Sequence, residues 1–132
     1  MARTRILLAD DHARFLAVAE HLLATEFEIV KTVGDGKALI VEAAGLGPDV
    51  IVLDISMPEL NGIDAARQLK AAGSKAKFVF LTVYDDPEHV RGALATGAQG
   101  YVVKSRLALD LVPAVREALA SRSFVSPTIA LN

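Results

Sequence analysis

Five short apolar runs punctuate the chain, and the stretches between them carry apolar residues three and four positions apart. The runs are Ile6-Leu7-Leu8-Ala9, Phe27 to Val33, Val50-Ile51-Val52-Leu53, Phe78 to Leu81 and Gly100 to Val103. Val50–Leu53 shows no alternation and is too short for a helix, so it reads as a strand covered on both faces, as in the centre of a parallel sheet. Phe27 to Val33 alternates less cleanly but is rich in strand formers, and Gly34-Asp35-Gly36 breaks it. Phe15, Leu16, Ala19, Leu22 and Leu23 mark a helix from His12 to about Thr25. Leu39, Ile40, Ala43 and Ala44 mark a second, closed by Gly45 and Gly47, and Ile63, Ala66, Leu69 and Lys70 a third that stops at Gly73. Asp85-Asp86-Pro87-Glu88 is a strong helix start, with acids to cap and proline near the first position, and Gly97 ends that helix. A last helix runs to about Ser121. The tail from Arg122 to Asn132 reads as loop, with Ser126-Pro127 inside it.

Strands beginning near positions 5, 27, 50, 77 and 99 thus alternate strictly with helices. The expectation is one α/β domain, a doubly wound five-stranded parallel sheet with helices on both faces and strand order 2-1-3-4-5. A chain of 132 residues with 52% hydrophobic content is large and apolar enough for one real core. A net charge of -2 gives the bulk field no reason to seek nucleic acid or an anionic membrane. With no cysteine, disulfides and thiol catalysis are excluded. The basic opening is followed by an apolar run too short for a signal peptide, and nothing reaches the length of a membrane span. A cytoplasmic domain is expected.

The chemistry stands at the carboxyl ends of the strands. Asp10-Asp11 follow the first, Asp54 the third, Thr82 the fourth and Lys104 the fifth. Each alone has an ordinary explanation: the aspartates could cap helices, Thr82 is a common strand residue, and a lone lysine is usually a solvated charge. Their joint placement is more specific, because open α/β sheets bind ligands just outside these ends, at the switch point of the strand order. Three carboxylates would converge there beside a hydroxyl and an ammonium. Two charges about 4 Å apart interact by roughly 4 kcal/mol at an effective dielectric of 20, so the cluster should want a cation. Carboxylates select a hard divalent ion such as magnesium, which keeps waters and accepts phosphate oxygens. His12, His21 and His89 lack metal-ligand spacing and are expected at helix ends or surfaces. Gly34-x-Gly36 is a turn, since Leu39 stands where a dinucleotide loop needs its third glycine. No nucleophile elbow and no Walker loop occurs.

With those residues in place, the sequence resembles the receiver domain of bacterial two-component response regulators, the CheY-like fold, and is most similar to the NarL/FixJ (LuxR-type) subfamily. The matching stretches are Leu8-Ala9-Asp10-Asp11-His12, Pro48 to Pro58 with Gly62, Leu81-Thr82, and Gly97 to Lys104. They cover residues 4 to about 127. The resemblance implies that Asp54 accepts phosphate from a sensor histidine kinase, with Asp10, Asp11, Asp54 and the Ser56 backbone carbonyl holding Mg2+. Lys104 would pair with the phosphoryl group, and Thr82 and Tyr101 would form the switch pair, changing the surface of the fourth helix, fifth strand and last helix. The chain would be a signalling switch, with self-catalysed phosphoryl transfer and aspartyl-phosphate hydrolysis only, and a possible homodimer on phosphorylation. The chemistry is consistent, since a carboxylate attacking a phosphoryl group needs both charges neutralised. The Thr82 hydroxyl would reach a phosphoryl oxygen only by moving, which leaves space for an aromatic ring to rotate inward.

Residues 1–122 are expected to form the receiver and 123–132 the start of a linker or tail, with no effector domain present and DNA reached only through a helix-turn-helix domain absent from this chain. A haloacid-dehalogenase-type phosphatase would need a second acid where Ser56 stands. A flavodoxin-like flavin binder would need a phosphate loop where Asp10-Asp11 would repel phosphate. Pro113 departs from the pattern, because proline inside a helix removes a hydrogen bond. It predicts a late final helix, capped by Asp110 with Pro113 third, preceded by a turn or 3₁₀ segment over Arg106–Leu109. Leu107 and Leu109 would be partly exposed and Leu111, Val112, Val115 and Leu119 would face the sheet. Ala114, Arg116 and Ala118 would be left for a second copy.

Overall fold

Strand β3 (Val50–Leu53) is buried on both faces, none of its side chains exposing more than 2% of its surface. The computed structural model describes residues 3–129. On either side of β3 lie β1 (Arg5–Ala9) and β4 (Lys77–Thr82), and outside them β2 (Glu28–Val33) and β5 (Gly100–Val103), all parallel. A short β6 (Phe124–Val125) extends the order to β2-β1-β3-β4-β5-β6. The doubly wound α/β class and the order of the first five strands are as the sequence predicts. The sixth strand is a correction: the tail is not all loop, because Phe124 N–H donates to Gln99 O at 2.9 Å and Ser126 N–H to Tyr101 O at 2.9 Å.

The helices are α1 (Ala13–Leu23), α2 (Gly36–Leu46), α3 (Gly62–Ala71), α4 (Pro87–Leu94) and α5 (Leu107–Leu119), with a 3₁₀ turn over Lys104–Arg106 leading into α5. Alternate residues of each strand serve opposite faces. Leu7, Ile51, Leu53, Phe78 and Phe80 pack with α2, α3 and α4 through Leu39, Ala66 and Val90. Ile6, Leu8, Val50, Val52 and Val79 pack with α1 and α5 through Leu23, Leu111 and Val115. Each fully buried aliphatic side chain contributes about 1.5–3 kcal/mol, which is why these strands read as continuous apolar runs. The weak alternation of β2 has two causes. It is an edge strand, and its register with β1 shifts between Ile6 and Leu7, which pair with Ile29 and Lys31 and skip Val30.

Local signals set most helix ends. The Asp35 side chain accepts from Ala38 N–H at the start of α2, Asn61 from Asp64 N–H at α3 and Asp86 from His89 N–H at α4, where Pro87 takes the first position. Gly47 closes α2 in the left-handed region at φ 55°.

The final helix contradicts the sequence expectation. It is α-helical from Leu107, and Pro113 lies well inside it. Leu107 is buried, and with Asp110, Leu111, Ala114, Val115 and Ala118 it forms one stripe at helical spacing. Packing of that stripe outweighs the hydrogen bond that Pro113 cannot make to the Leu109 carbonyl. Asp110 is therefore not a cap. Ala114 and Ala118 face inward rather than outward, Leu119 is 38% exposed instead of facing the sheet, and Arg116 is engaged by Glu26.

Asp110 is 4% exposed and accepts Arg106 Nε at 2.7 Å, Arg106 Nη2 at 3.2 Å and Ser126 Oγ at 2.8 Å. Burial alone would push its carboxyl up, but the hydrogen bonds from Arg106 and Ser126 outweigh it and hold it below the usual carboxylate range. A depressed folded-state pKa contributes stability that is present above the unfolded value, about 3.9, and is lost as pH falls through the folded value. Asp110→Asn is expected to cost about 1–3 kcal/mol at neutral pH by leaving Arg106 without its carboxylate. The deficit should shrink below about pH 4, read from urea midpoints of the two proteins across pH. A deficit equal at pH 3 and pH 7 would contradict this.

Candidate functional site

Asp10, Asp54 and Lys104 meet because their strands place them there. β1 and β3 are neighbours with Ala9 opposite Leu53, so the residues that follow them emerge side by side. The turn of chain is fixed by Asp54 N–H donating to Ala9 O at 3.0 Å and Asp10 N–H to Val33 O at 3.0 Å. Lys104 follows β5 and reaches back past β4. Its Nζ lies 2.9 Å from Asp54 Oδ2 and 2.8 Å from Asp10 Oδ2, and all three residues are almost fully buried.

The lysine bonds its two partners differently. It donates to Asp54 Oδ2, whereas the approach to Asp10 Oδ2 has ion-pair distance without hydrogen-bond alignment. That oxygen is a buried side-chain polar atom with no hydrogen-bond partner among the described residues. The other Asp10 oxygen accepts His12 N–H at 2.9 Å, and Asp54 Oδ1 accepts Ile55 N–H at 2.7 Å. Asp11, one-third exposed, opens the cluster to solvent. Ligand atoms of Asp10, Asp11, His12 and Asp54 all lie within 4.8 Å of one another. One ammonium against three carboxylates leaves an excess of negative charge, and buried charge of that kind is costly unless paired. An oxygen-rich donor set with an orphaned carboxylate oxygen fits a hard divalent cation such as magnesium.

Two side chains join the site unannounced by the sequence. His12 lies at the start of α1 and is exposed, as the sequence predicts, but its Nδ1 also stands 3.1 Å from Asp11 Oδ1 and 3.3 Å from Asp10 Oδ1, which adds a ring nitrogen to the acidic cluster. Phe15 presents its ring to Lys104 Nζ at 4.3 Å from the centroid, a cation–π contact, and His12 packs edge-to-face with the same ring. Its place on the buried side of α1 made it look like ordinary core. Ser56 is exposed beside the cluster, and Gly62 N–H donates to Ile55 O at 2.7 Å, drawing the loop after Asp54 onto the start of α3.

Thr82 is fully buried at the end of β4, with its Oγ 3.5 Å from Tyr84 N. The Tyr101 ring is already inside rather than waiting outside: it is fully buried, tilted against Phe80, and its hydroxyl donates to Tyr84 O at 2.7 Å. Burial, reinforced by the Asp86 and Asp54 carboxylates, pushes its hydroxyl well above the usual tyrosine range, so it remains a donor. Tyr84 in turn stacks on His89 at 4.0 Å, and His89 Nδ1 lies 2.8 Å from Asp86. Hydrogen bonds from the His89 backbone and ring hold the Asp86 carboxyl below its ordinary range. A cavity of about 390 Å³ opens among Ile55, Ser56, Asn61, Tyr84 and His89, next to the acidic cluster. A wider one of about 1020 Å³ lies at the opposite end of the sheet, among Arg5, Pro48 and Lys77.

A parallel sheet in this order, with aspartates after its first and third strands bridged by a lysine after its fifth, defines the CheY-like class of α/β signalling domains. The model of the response regulator receiver domain matches residues 6–116, and the chain belongs to that family. It is 33% identical over 132 residues to the transcriptional regulatory protein DegU of Brevibacillus brevis, covering 98% of this chain and 56% of that protein. A LuxR-family two-component response regulator from Aurantimonas sp. SI85-9A1 superposes with a TM-score of 0.91 at 28% identity, over 98% of this chain and 93% of that one. The response regulator domain of Thermotoga maritima CheB shares the fold, with a TM-score of 0.83 at 24% identity over 89% of this chain and 97% of that one. The signal receiver domain of NarL from Mycobacterium tuberculosis is a further structural neighbour, with a TM-score of 0.87 at 26% identity over 92% of this chain and 100% of that one. The chain spans about half the length of the curated relatives it matches. Among the described residues no helix is long and apolar enough to cross a membrane.

Proposed function

We propose that this chain is the phosphoacceptor of a two-component system, taking a phosphoryl group from a histidine kinase onto Asp54. The observation that carries the reading is Lys104 Nζ bridging Asp10 and Asp54 at 2.8 and 2.9 Å beside an orphaned carboxylate oxygen. Asp10, Asp11, Asp54 and the Ser56 carbonyl would hold Mg2+. When bound, the ion supplies positive charge against the phosphoryl oxygens. The Asp54 carboxylate attacks phosphorus as the P–N bond to the donor imidazole breaks, giving an acyl phosphate and returning the electron pair to nitrogen. Lys104 shifts from the carboxylate to a phosphoryl oxygen, keeping its charge paired. Thr82 Oγ donates to another, and Tyr84, which contacts both Thr82 and the Tyr101 hydroxyl, carries the change toward α4 and β5. Beyond this transfer and hydrolysis of its own aspartyl phosphate, the chain is a switch and not an enzyme.

DegU is named as a transcriptional regulator, and this chain matches only part of its length. The switch accordingly controls an attached or partner DNA-binding domain in the cytoplasm, and phosphorylation favours a homodimer. The receiver expected over 1–122 extends through β6 and Ser126, and a linker would start only beyond them.

The test is incubation with acetyl phosphate, with and without magnesium, followed by intact mass. The expected result is one added phosphoryl group only when the metal is present; no gain under either condition overturns the reading. Magnesium alone should also raise the melting temperature. At about 100 times its dissociation constant a ligand adds roughly 2.7 kcal/mol of stability. Asp11→Ala should lose most of that rise, since Asp11 is the carboxylate nearest solvent. A melting temperature indifferent to millimolar magnesium in the wild type speaks against the metal site.

A further inference from the structure

The tail hydroxyl of Ser126 and the carboxylate of Asp110 are both buried, hydrogen-bonded to each other, and unused by the chemistry above. Where they attach is informative. Ser126 Oγ accepts Val103 N–H at 3.1 Å, and Val103 is the residue immediately before Lys104. The same hydroxyl donates to Asp110 Oδ2 at 2.8 Å, and Asp110 holds Arg106 through both carboxylate oxygens. Arg106 ends the 3₁₀ turn that Lys104 begins. One connected chain of hydrogen bonds therefore ties the backbone N–H just before the lysine to the side chain of Arg106 two residues after it, and it reaches out to β6 through Ser126 N–H on Tyr101 O.

We propose that Ser126 and Asp110 are positioning residues for Lys104, setting where its ammonium stands between Asp10 and Asp54. This rests on the phosphoacceptor reading, which makes that ammonium the partner of the phosphoryl group. β6 spans only Phe124 and Val125 and ends short of Val103, so without the Ser126 hydroxyl the buried Val103 N–H loses its partner. An orphaned buried donor is costly, and the backbone moves to relieve it. Lys104 would move with it. A displacement of even about 1 Å at a reacting centre can cost on the order of a hundredfold in rate.

The experiment uses the full chain and beryllium fluoride with saturating magnesium as a phosphoryl mimic. Ser126→Ala is expected to weaken beryllium fluoride binding about tenfold, equivalent to about 1.4 kcal/mol, while magnesium affinity stays within about twofold of wild type. Ser126→Thr, which keeps the hydroxyl, should recover most of the loss. In the Lys104→Ala background, Ser126→Ala should have no further effect, because the two act through one group. Should Ser126→Ala fail to fold, Asp110→Asn is expected to show the same split. Equal beryllium fluoride affinity in wild type and Ser126→Ala overturns the positioning role alone. So does an equal loss in both backgrounds, which would mark a merely structural serine. A wild type that binds magnesium but no beryllium fluoride removes the phosphoacceptor reading, and the positioning role falls with it.

Discussion

Asp54→Ala is expected to gain no phosphoryl group from acetyl phosphate and magnesium under conditions in which the wild type gains one. The loss should be complete, because the substitution removes the nucleophile itself rather than a group that assists it. It should also be clean. Removing one partner of a buried ion pair usually costs about 3–5 kcal/mol, by stranding the other charge. Here Lys104 keeps Asp10 at 2.8 Å and its cation–π contact with Phe15. The variant also loses a carboxylate from a crowded acidic cluster. It should therefore fold, and a normal urea midpoint beside a null mass shift would separate lost chemistry from lost structure. A phosphoryl group that persists in Asp54→Ala would move the acceptor to Asp11, the more exposed carboxylate of the cluster.

Gly62→Ala should be the most damaging single methyl addition near the site. A Cβ at Gly62 would stand 1.9 Å from Asp54 O and 2.8 Å from Asp54 C, both backbone atoms that cannot rotate away. Relief requires the loop after Asp54 to lift off the start of α3, breaking the 2.7 Å bond from Gly62 N–H to Ile55 O. We expect a loss of about 3 kcal/mol and a fall in melting temperature of roughly 10 °C. Gly45 is the control. Its Cβ would meet nothing within 4 Å, and it sits in helix α2, so Gly45→Ala should be neutral or stabilise by up to about 1 kcal/mol. A Gly62→Ala melting temperature within a degree of the wild type would show that the loop yields easily.

The core and the polar groups at the strand ends were legible in the sequence for one reason. A strand covered on both faces must be apolar throughout, so a carboxylate after Leu53 or a lysine after Val103 stands out against its surroundings. Helix starts were legible where a side chain signals them, as at Asp86-Pro87. What failed was phase. In α5 Leu111 and Val115 are buried as expected, but Leu119 is not, and the buried stripe also takes in Leu107, Asp110, Ala114 and Ala118. Alanine is small enough to stand on either side, and a buried aspartate is invisible until its partners Arg106 and Ser126 are known. Pro113 misled for a related reason, since its cost was judged without the packing that offsets it. β6 escaped notice because two residues carry no periodicity; only their bonds to Gln99 and Tyr101 make them a strand. His12 and Phe15 reached the site through the turn into α1, a geometry that spacing alone does not encode.

Strand β6 also bears on how separate molecules behave toward one another. β5, Gly-Tyr-Val-Val, is wholly buried and would be the edge of the sheet if the chain ended at residue 122, the boundary expected from the loop-like tail. An apolar edge with free N–H and C=O groups is a template for adding a strand from another chain. Two residues of β6 occupy that edge, and being so short they present almost no edge of their own. Phe124 covers apolar surface on one side of the sheet and Val125 on the other. The tail thus acts as a guard against self-association along the sheet, and a receiver trimmed just before it would keep its acidic cluster while exposing the one strand best suited to aggregation.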